Sequence, residues 1–553
     1  MQWLVVTEKA SVASNIRKFI KPPPTTLALR GHFLELDFPK EYNYWRNVEP
    51  KTLFEAPIIW VTRDYKIYNA LEKALRRTNR IIIATDNDPE GELIGYEVLL
   101  VGKRILGRFP FFKRMRFNAA TPSGLMEAWH KLESDLKWGW VWKALLRHKF
   151  DLITGAAYTR LLTLSRKFGN GNLISWGSCQ SPTLWFVYQR EMEIRNFKPE
   201  KYWLISALID LNGTKIKVST EPFNDRALAQ KFYSDAKSAR FAIVEGFELK
   251  DETIHKPMPT DTDSMLQEIA RIYGMSGSRI MNIAEELYAE GFISYPRTET
   301  NVWINVNHEE ILEMLSRTHL GKFINIENYN PRNGRKNDGA HPPIYPTNYY
   351  NLSDLKEKVW GYIARRYLAN VIGKDAKLKK WKLKVKLNGV IMDATGKYFI
   401  DRGFFNIFPY FEPKELIYIP KLESNQILPV IDVKLEEKET KPPQRLTEAE
   451  LLKLLEANSI GTDATRADYP NIIIRRGYVI KKNRRFHLCK IGEELIRLLE
   501  GVDRRLVTPE TRRYVEGLMA EVENGKLKME EALNKSLEVY KTLYEELYKV
   551  LLQ

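Results

Sequence analysis

Four residues, Ile81-Ile82-Ile83-Ala84, form an unbroken apolar run that ends on Thr85-Asp86-Asn87-Asp88-Pro89-Glu90-Gly91-Glu92. A short β-branched run bounded by polar residues is the pattern of a strand buried on both faces, as in a parallel sheet covered by helices. Two similar runs precede it, Trp3-Leu4-Val5-Val6 and Ile58-Ile59-Trp60-Val61, with helical patterning between them. Residues 1–132 are therefore expected to form an α/β domain with all three runs in one parallel sheet. Ligands of such sheets gather beyond the carboxyl ends of the strands. Glu8 and Lys9 follow the first run, and Asp86, Asp88 and Glu90 follow the third. If residues 86–90 are extended, their alternate side chains share one side. Three carboxylates so gathered repel each other unless a cation neutralises them. Oxygen donors without His or Cys favour Mg²⁺. An acidic loop that simply caps a helix is the plainer alternative.

At 553 residues the chain is too long for one core, and several domains are expected. Residues 133–196 and 440–553 read as helical. Alternating patterns at 197–255 and 381–439 read as strands of one sheet, interrupted by an inserted helical domain at 256–380. Two segments share a layout of helix, turn, helix, glycine and β-run: Ser264 to Ser294 and Thr447 to Lys482. That is the order of a winged helix, which is common in DNA-binding domains. The second copy carries Arg475, Arg476, Lys481, Lys482, Arg484 and Arg485 around its wing, either to meet phosphates or as a solvated hairpin.

Lys and Arg outnumber Asp and Glu by 86 to 70, for a net charge of +16. A polyanionic partner suits that balance, because each phosphate neutralised releases condensed counterions; a basic surface kept for solubility would give it too. The two cysteines, Cys179 and Cys489, exclude a disulfide framework and a four-cysteine zinc site within this chain, so no zinc is expected. The apolar start is short and lacks a basic leader, and no run approaches the ~20 residues that cross a bilayer. A cytoplasmic, nucleoid-associated protein with no membrane partner is expected. No Gly-x-x-x-x-Gly-Lys-Ser/Thr loop occurs, so no ATP is expected.

The acidic segment resembles the Asp-x-Asp-x-Glu pattern of a Toprim domain. Gly291-Phe292-Ile293-Ser294-Tyr295-Pro296-Arg297-Thr298-Glu299-Thr300-Asn301 resembles the active-site tyrosine motif of type IA DNA topoisomerases. Three further segments match that family in order: Ile174 to Leu184, Gly339 to Thr347, and Ile460-Gly461-Thr462-Asp463-Ala464-Thr465-Arg466. Their details are similar to the topoisomerase III of archaea and eukaryotes. The resemblance implies a multidomain α/β plus α fold, with a Toprim domain, winged-helix-like domains and a β-rich arch closing a toroid.

It also implies roles. Tyr295 would be the nucleophile forming a 5′-phosphotyrosine, Arg297 would stabilise the phosphate, and Lys9 would protonate the leaving 3′ oxygen. Glu8 would sit beside the scissile phosphate, with Asp86, Asp88 and Glu90 holding Mg²⁺. Arg147, Asp151, Ser178, Gln180, His341 and Thr465 would bind and position a single strand. The expected substrate is single-stranded or negatively supercoiled DNA, with a helicase as partner and the chain acting as a monomer. Pro89 stands where the family usually has Arg, which removes one cation from the acidic cluster. The rivals are a Toprim nuclease or primase without a covalent tyrosine, and a DNA-binding scaffold.

Overall fold

The computed structural model describes residues 3–169, 171–350, 352–462 and 465–552; Asp463 and Ala464 of the last motif lie outside the described residues. The amino-terminal sheet has four parallel strands, ordered Thr25–Ala28, Leu4–Thr7, Arg80–Ala84 and Phe111–Arg114. The expectation for the run at 58–61 is corrected. Ile59–Thr62 pairs antiparallel with Leu34–Asp37 in a separate two-stranded ribbon. Its side chains are exposed or half-buried, whereas a central parallel strand must be covered on both faces.

The two faces of the main sheet are covered by different parts of the chain. Leu4, Val6, Ile81 and Ile83 join a core that includes Leu146, Tyr158, Leu495 and Tyr544. Val5, Ile82 and Ala84 point the other way, into a core with Leu266, Ile280, Tyr288 and Tyr295. Strict alternation along two neighbouring strands thus docks the long helix Trp138–Leu164 and the carboxyl-terminal helices on one side, and the inserted domain on the other. The register Val6↔Ile83 and Thr7↔Ala84 brings Glu8 and Lys9 level with Thr85 and Asp86.

Helix Pro89–Leu106 begins directly on the acidic loop. Asp88 is its N-cap and accepts from the Gly91 backbone N–H at 2.6 Å, and Pro89 occupies the first helical position, where its fixed φ suits the start. Residues 86–90 are therefore not one extended strand, and Glu90 turns away on the first helical turn. Gly91 is required here, because a Cβ would lie 2.1 Å from the Asp86 carbonyl oxygen.

The alternating segments close into a six-stranded barrel, with strands from Lys201–Leu211 to Phe241–Ile254 and from Ala376–Leu387 to Ile427–Glu439. The second span starts at Ala376 rather than 381. Ile205, Ile209, Val244, Leu383, Val385 and Leu387 fill the barrel, with lysines facing outward between them on Ala376–Leu387. The two winged-helix-like copies differ. In the second, helices Glu448–Ala457 and Tyr469–Arg475 lead to a hairpin, Val479–Lys482 with Arg485–Leu488. Its turn places Asn483 and Arg484 at φ 49 and 63°, as a tight two-residue loop requires. In the first, helices Thr262–Tyr273 and Gly277–Glu290 are followed only by an isolated bridge, Ile293 with Pro346. The wing expected there is replaced by the segment that carries Tyr295.

Candidate active site

Tyr295 comes from the inserted domain to the acidic edge of the sheet. Its backbone N–H donates to the Asn118 carbonyl at 2.8 Å, and its hydroxyl donates to Asp88, 207 residues away in sequence. The ring is 1% exposed, packs edge-on to Tyr288 at 5.1 Å and lies 5.0 Å from the His341 ring. Burial, followed by the charges of Asp88 and Asp86, pushes the phenol well above its ordinary range. The proton therefore stays on the Tyr295 oxygen, with the Asp88 carboxylate as its acceptor.

Behind Asp88 the carboxylates crowd. Burial and then the Asp86 charge raise the Glu8 carboxyl to about 8, and burial likewise raises Asp86. Lys9 donates to Asp86 at 2.7 Å. Although burial works against its charge, Asp86 and Glu8 hold the ammonium firmly protonated. One lysine among half-buried Glu8 and buried Asp86 and Asp88 leaves the edge short of positive charge; the donors are all oxygens, a chemistry that suits a hard divalent cation, although the three carboxylates do not all approach within 4.8 Å of one another.

Glu90 is not part of that cluster. Its carboxylate accepts from Arg147 at 2.7 Å and contacts His148 at 2.8 Å and His32 at 3.0 Å. Against the cost of burial, the Arg147 charge and the two imidazole hydrogen bonds hold it well below the usual carboxylate range. Among the described residues, His32, Glu90 and His148 are the His, Cys, Asp or Glu group whose ligand atoms all lie within 4.8 Å of one another.

Residues 291–301 run as turns and irregular backbone rather than a strand, so Tyr295 and Arg297 are not simply aligned on one face. The Arg297 guanidinium is held by Glu285, on helix Gly277–Glu290. Its charge still lowers the proton affinity of Tyr295. The His341 ring contacts Asp338 at 3.0 Å and the Asn87 carbonyl at 2.5 Å, which ties the inserted domain to the acidic loop.

The other predicted contacts lie along helix Trp138–Leu164 and its neighbours. Arg147 and Asp151 are four residues apart yet take different partners. Asp151 accepts from Arg512 at 2.9 Å and from the Ser178 hydroxyl at 3.3 Å, and Arg512 also donates to Ser178 at 2.8 Å. Gln180 opens helix Gln180–Asn196 and donates to the Ser175 carbonyl at 2.9 Å. The Thr465 hydroxyl accepts from the Thr462 backbone at 3.2 Å. A cleft of about 240 Å³ joins Asp88, Glu90, Trp140, Arg147, His341 and Thr462.

Sequence reading missed several residues that build this site. Glu285 and Tyr288 sit on a helix whose local sequence signals only amphipathicity. Asp338 lies in an Asn-Asp-Gly turn and accepts the backbone N–H groups of Ala340 and His341. Fully buried Arg114 donates to Glu92 and to the carbonyls of Ile83, Thr85, Asp86 and Met115, which fixes the acidic loop. A charged residue ending an apolar strand was the only hint of it.

Residues 3–120 match the Toprim domain and residues 135–534 the DNA topoisomerase family. The chain is 31% identical to DNA topoisomerase 1 of Archaeoglobus fulgidus, over 98% of its own length and 83% of that protein. It is 32% identical to DNA topoisomerase 3 of Candidozyma auris, over 94% and 86%. Human DNA topoisomerase 3-beta-1 is 32% identical over 92% of this chain and 62% of that one. Among solved structures, full-length topoisomerase I from Thermotoga maritima superposes with a TM-score of 0.79 at 25% identity, covering 98% of this chain and 90% of the other. The chain belongs to the type IA DNA topoisomerases, enzymes that break and reseal one DNA strand without ATP. Its relatives carry both the topoisomerase 1 and topoisomerase 3 names, in archaea and eukaryotes. No described helix is long and apolar enough to cross a membrane.

Proposed function

We propose that Tyr295 is the nucleophile and that Asp88 receives its proton; the contact of these two side chains across the domain boundary carries this reading. The Tyr295 oxygen attacks the scissile phosphorus and the bond to the 3′ oxygen breaks. Lys9 gives that oxygen a proton, leaving a 3′-hydroxyl and a 5′-phosphotyrosine. Resealing reverses each transfer, and the energy of the broken phosphodiester stays in the phosphotyrosine. Arg297 neutralises charge on the phosphate. Asp86 and Asp88, with Glu8 beside them, would hold Mg²⁺, which would supply charge compensation at the phosphate.

The cations in this path already hold carboxylates: Lys9 with Asp86, Arg297 with Glu285, Arg147 with Glu90, and Arg512 with Asp151. Entry of a single strand is then an exchange of carboxylate for phosphate partners, with Ser178, Gln180, His341 and Thr465 shaping the channel beside Arg147 and Asp151. Because Tyr295 and Asp88 belong to different domains, opening the gap between them lets another strand pass. The enzyme relaxes negative supercoils and unlinks DNA as a monomer, and a helicase is the partner class that would supply single strands. Incubation with negatively supercoiled plasmid, Mg²⁺ and no ATP should give stepwise relaxation that disappears in Tyr295→Phe; full activity in that variant would overturn the assignment.

A further inference from the structure

The surroundings of Glu90 differ in kind from the carboxylate edge. One carboxylate oxygen faces Arg147 at 2.7 Å, while the other lies 3.0 Å from His32 Nε2 and 2.8 Å from His148 Nε2. Donor atoms at right angles around an ion with bonds of about 2.1 Å lie about 3.0 Å apart. Each imidazole nitrogen therefore lies at the spacing of an adjacent ligand from the shared oxygen, and the three atoms all lie within 4.8 Å of one another.

The support behind His32 is built in the same sense. Its Nδ1 meets Glu97 Oε1 at 2.5 Å. Glu97 is fully buried, and its other oxygen accepts the backbone N–H groups of Phe33 and Leu34 at 3.2 and 3.0 Å. A carboxylate on Nδ1 fixes the ring and leaves Nε2 directed at Glu90, the arrangement that orients and strengthens imidazole ligands. His148 lies next to Arg147 on helix Trp138–Leu164, with its ring 5.2 Å from that of His32 and half-exposed. The outer side is thus open to an entering ion and to water ligands.

We propose that His32, Glu90 and His148 form a binding site for one divalent first-row transition-metal ion, distinct from the Mg²⁺ edge of Glu8, Asp86 and Asp88. Two imidazoles and one carboxylate select such an ion over Mg²⁺, which prefers oxygen alone. The ion takes the place of the protons that now bridge the three side chains, and Arg147 remains on the far oxygen of Glu90.

The test titrates Co²⁺ into the full chain after removal of metals with a chelator, following visible absorption and the metal content of the dialysed protein. One bound Co²⁺ per chain is expected, weakened at least tenfold in His148→Ala and in His32→Ala, as loss of an imidazole requires. His148 is partly exposed, so that variant keeps its fold, which an unchanged melting temperature verifies. Asp86→Asn/Asp88→Asn should retain the Co²⁺ spectrum even where it abolishes Mg²⁺-dependent cleavage. An absent cobalt band in the wild-type chain, or binding unchanged in both histidine variants, overturns the site. So does binding lost only in the double aspartate variant, which would place the ion on the carboxylate edge.

Discussion

Tyr295, Asp88 and Arg297, the residues proposed to act on the phosphate, show how much a side chain depends on partners that its own sequence does not name. The motif around Tyr295 made the phenol identifiable, but only the fold brings it to Asp88. Nor did the motif reveal that Arg297 rests on Glu285, because a glutamate on an amphipathic helix carries no local mark. That pair has a measurable consequence. If Arg297 binds the phosphate as proposed, phosphate must displace Glu285, so Glu285→Gln should tighten single-stranded DNA binding at low salt by up to about fivefold, equivalent to ~1 kcal/mol. Fluorescence anisotropy with a short oligonucleotide measures this directly, and weaker binding would mean that Glu285 chiefly positions the guanidinium. The acidic motif was half legible for a physical reason. Asp86 and Asp88 stay on the edge that faces Lys9 and Tyr295, while Pro89 starts a helix at once and swings Glu90 into the His32, Arg147 and His148 pocket.

At the level of elements, periodicity found the strands at 4–7 and 80–84 and the helices of both winged-helix-like segments. It misplaced the run at 58–61, because a short apolar run says nothing about which neighbour it pairs with. The wing is legible where turn chemistry is strong, at Asn483-Arg484, and fails at 292–294, where tertiary contacts with 344–346 take over. Arg476, at the end of helix Tyr469–Arg475, and Lys482, on the hairpin that follows, are both exposed. If they meet phosphates, Arg476→Ala/Lys482→Ala should flatten the dependence of log affinity on log salt by up to about 1.4 for single strands, ~0.7 per contact. Cleavage of oligonucleotide already bound should be unaffected. An unchanged slope would make the hairpin a merely solvated one.

The whole molecule is held closed by contacts between segments far apart in sequence. Arg466 pairs with Asp263 at 2.6 Å, joining the carboxyl-terminal domain to the inserted one. Arg466→Ala would strand a buried carboxylate and should cost about 3–5 kcal/mol in a denaturant titration; a change under 1 kcal/mol would show that the pair is not what closes the ring of domains. Burial raises Asp263 to about 6 despite Arg466, with Glu456 and Asp261 adding to the rise. Its folded value then exceeds the unfolded one, so the folded state binds the proton more tightly. Stability from this group is present below about pH 4 and is lost as pH rises to about 6. Melting temperatures of the wild type relative to Asp263→Asn should fall across that window and level off above it; a rise would reverse the sign of the burial effect. Barrel closure and the covering of two sheet faces by different domains were not legible, because both depend on pairings between distant segments.

In the proposed reaction two distant sites meet so that Tyr295 becomes linked to DNA. A single-stranded oligonucleotide labelled at its 3′ end, incubated with the enzyme and Mg²⁺ and then quenched with denaturant, tests it most directly. The label should migrate with the protein on a peptide containing Tyr295, the upstream fragment should end in a free 3′-hydroxyl, and both should vanish in Tyr295→Phe. A covalent complex that survives that substitution, or one that retains the upstream fragment instead, would rule out Tyr295 as the residue joined to the 5′ phosphate.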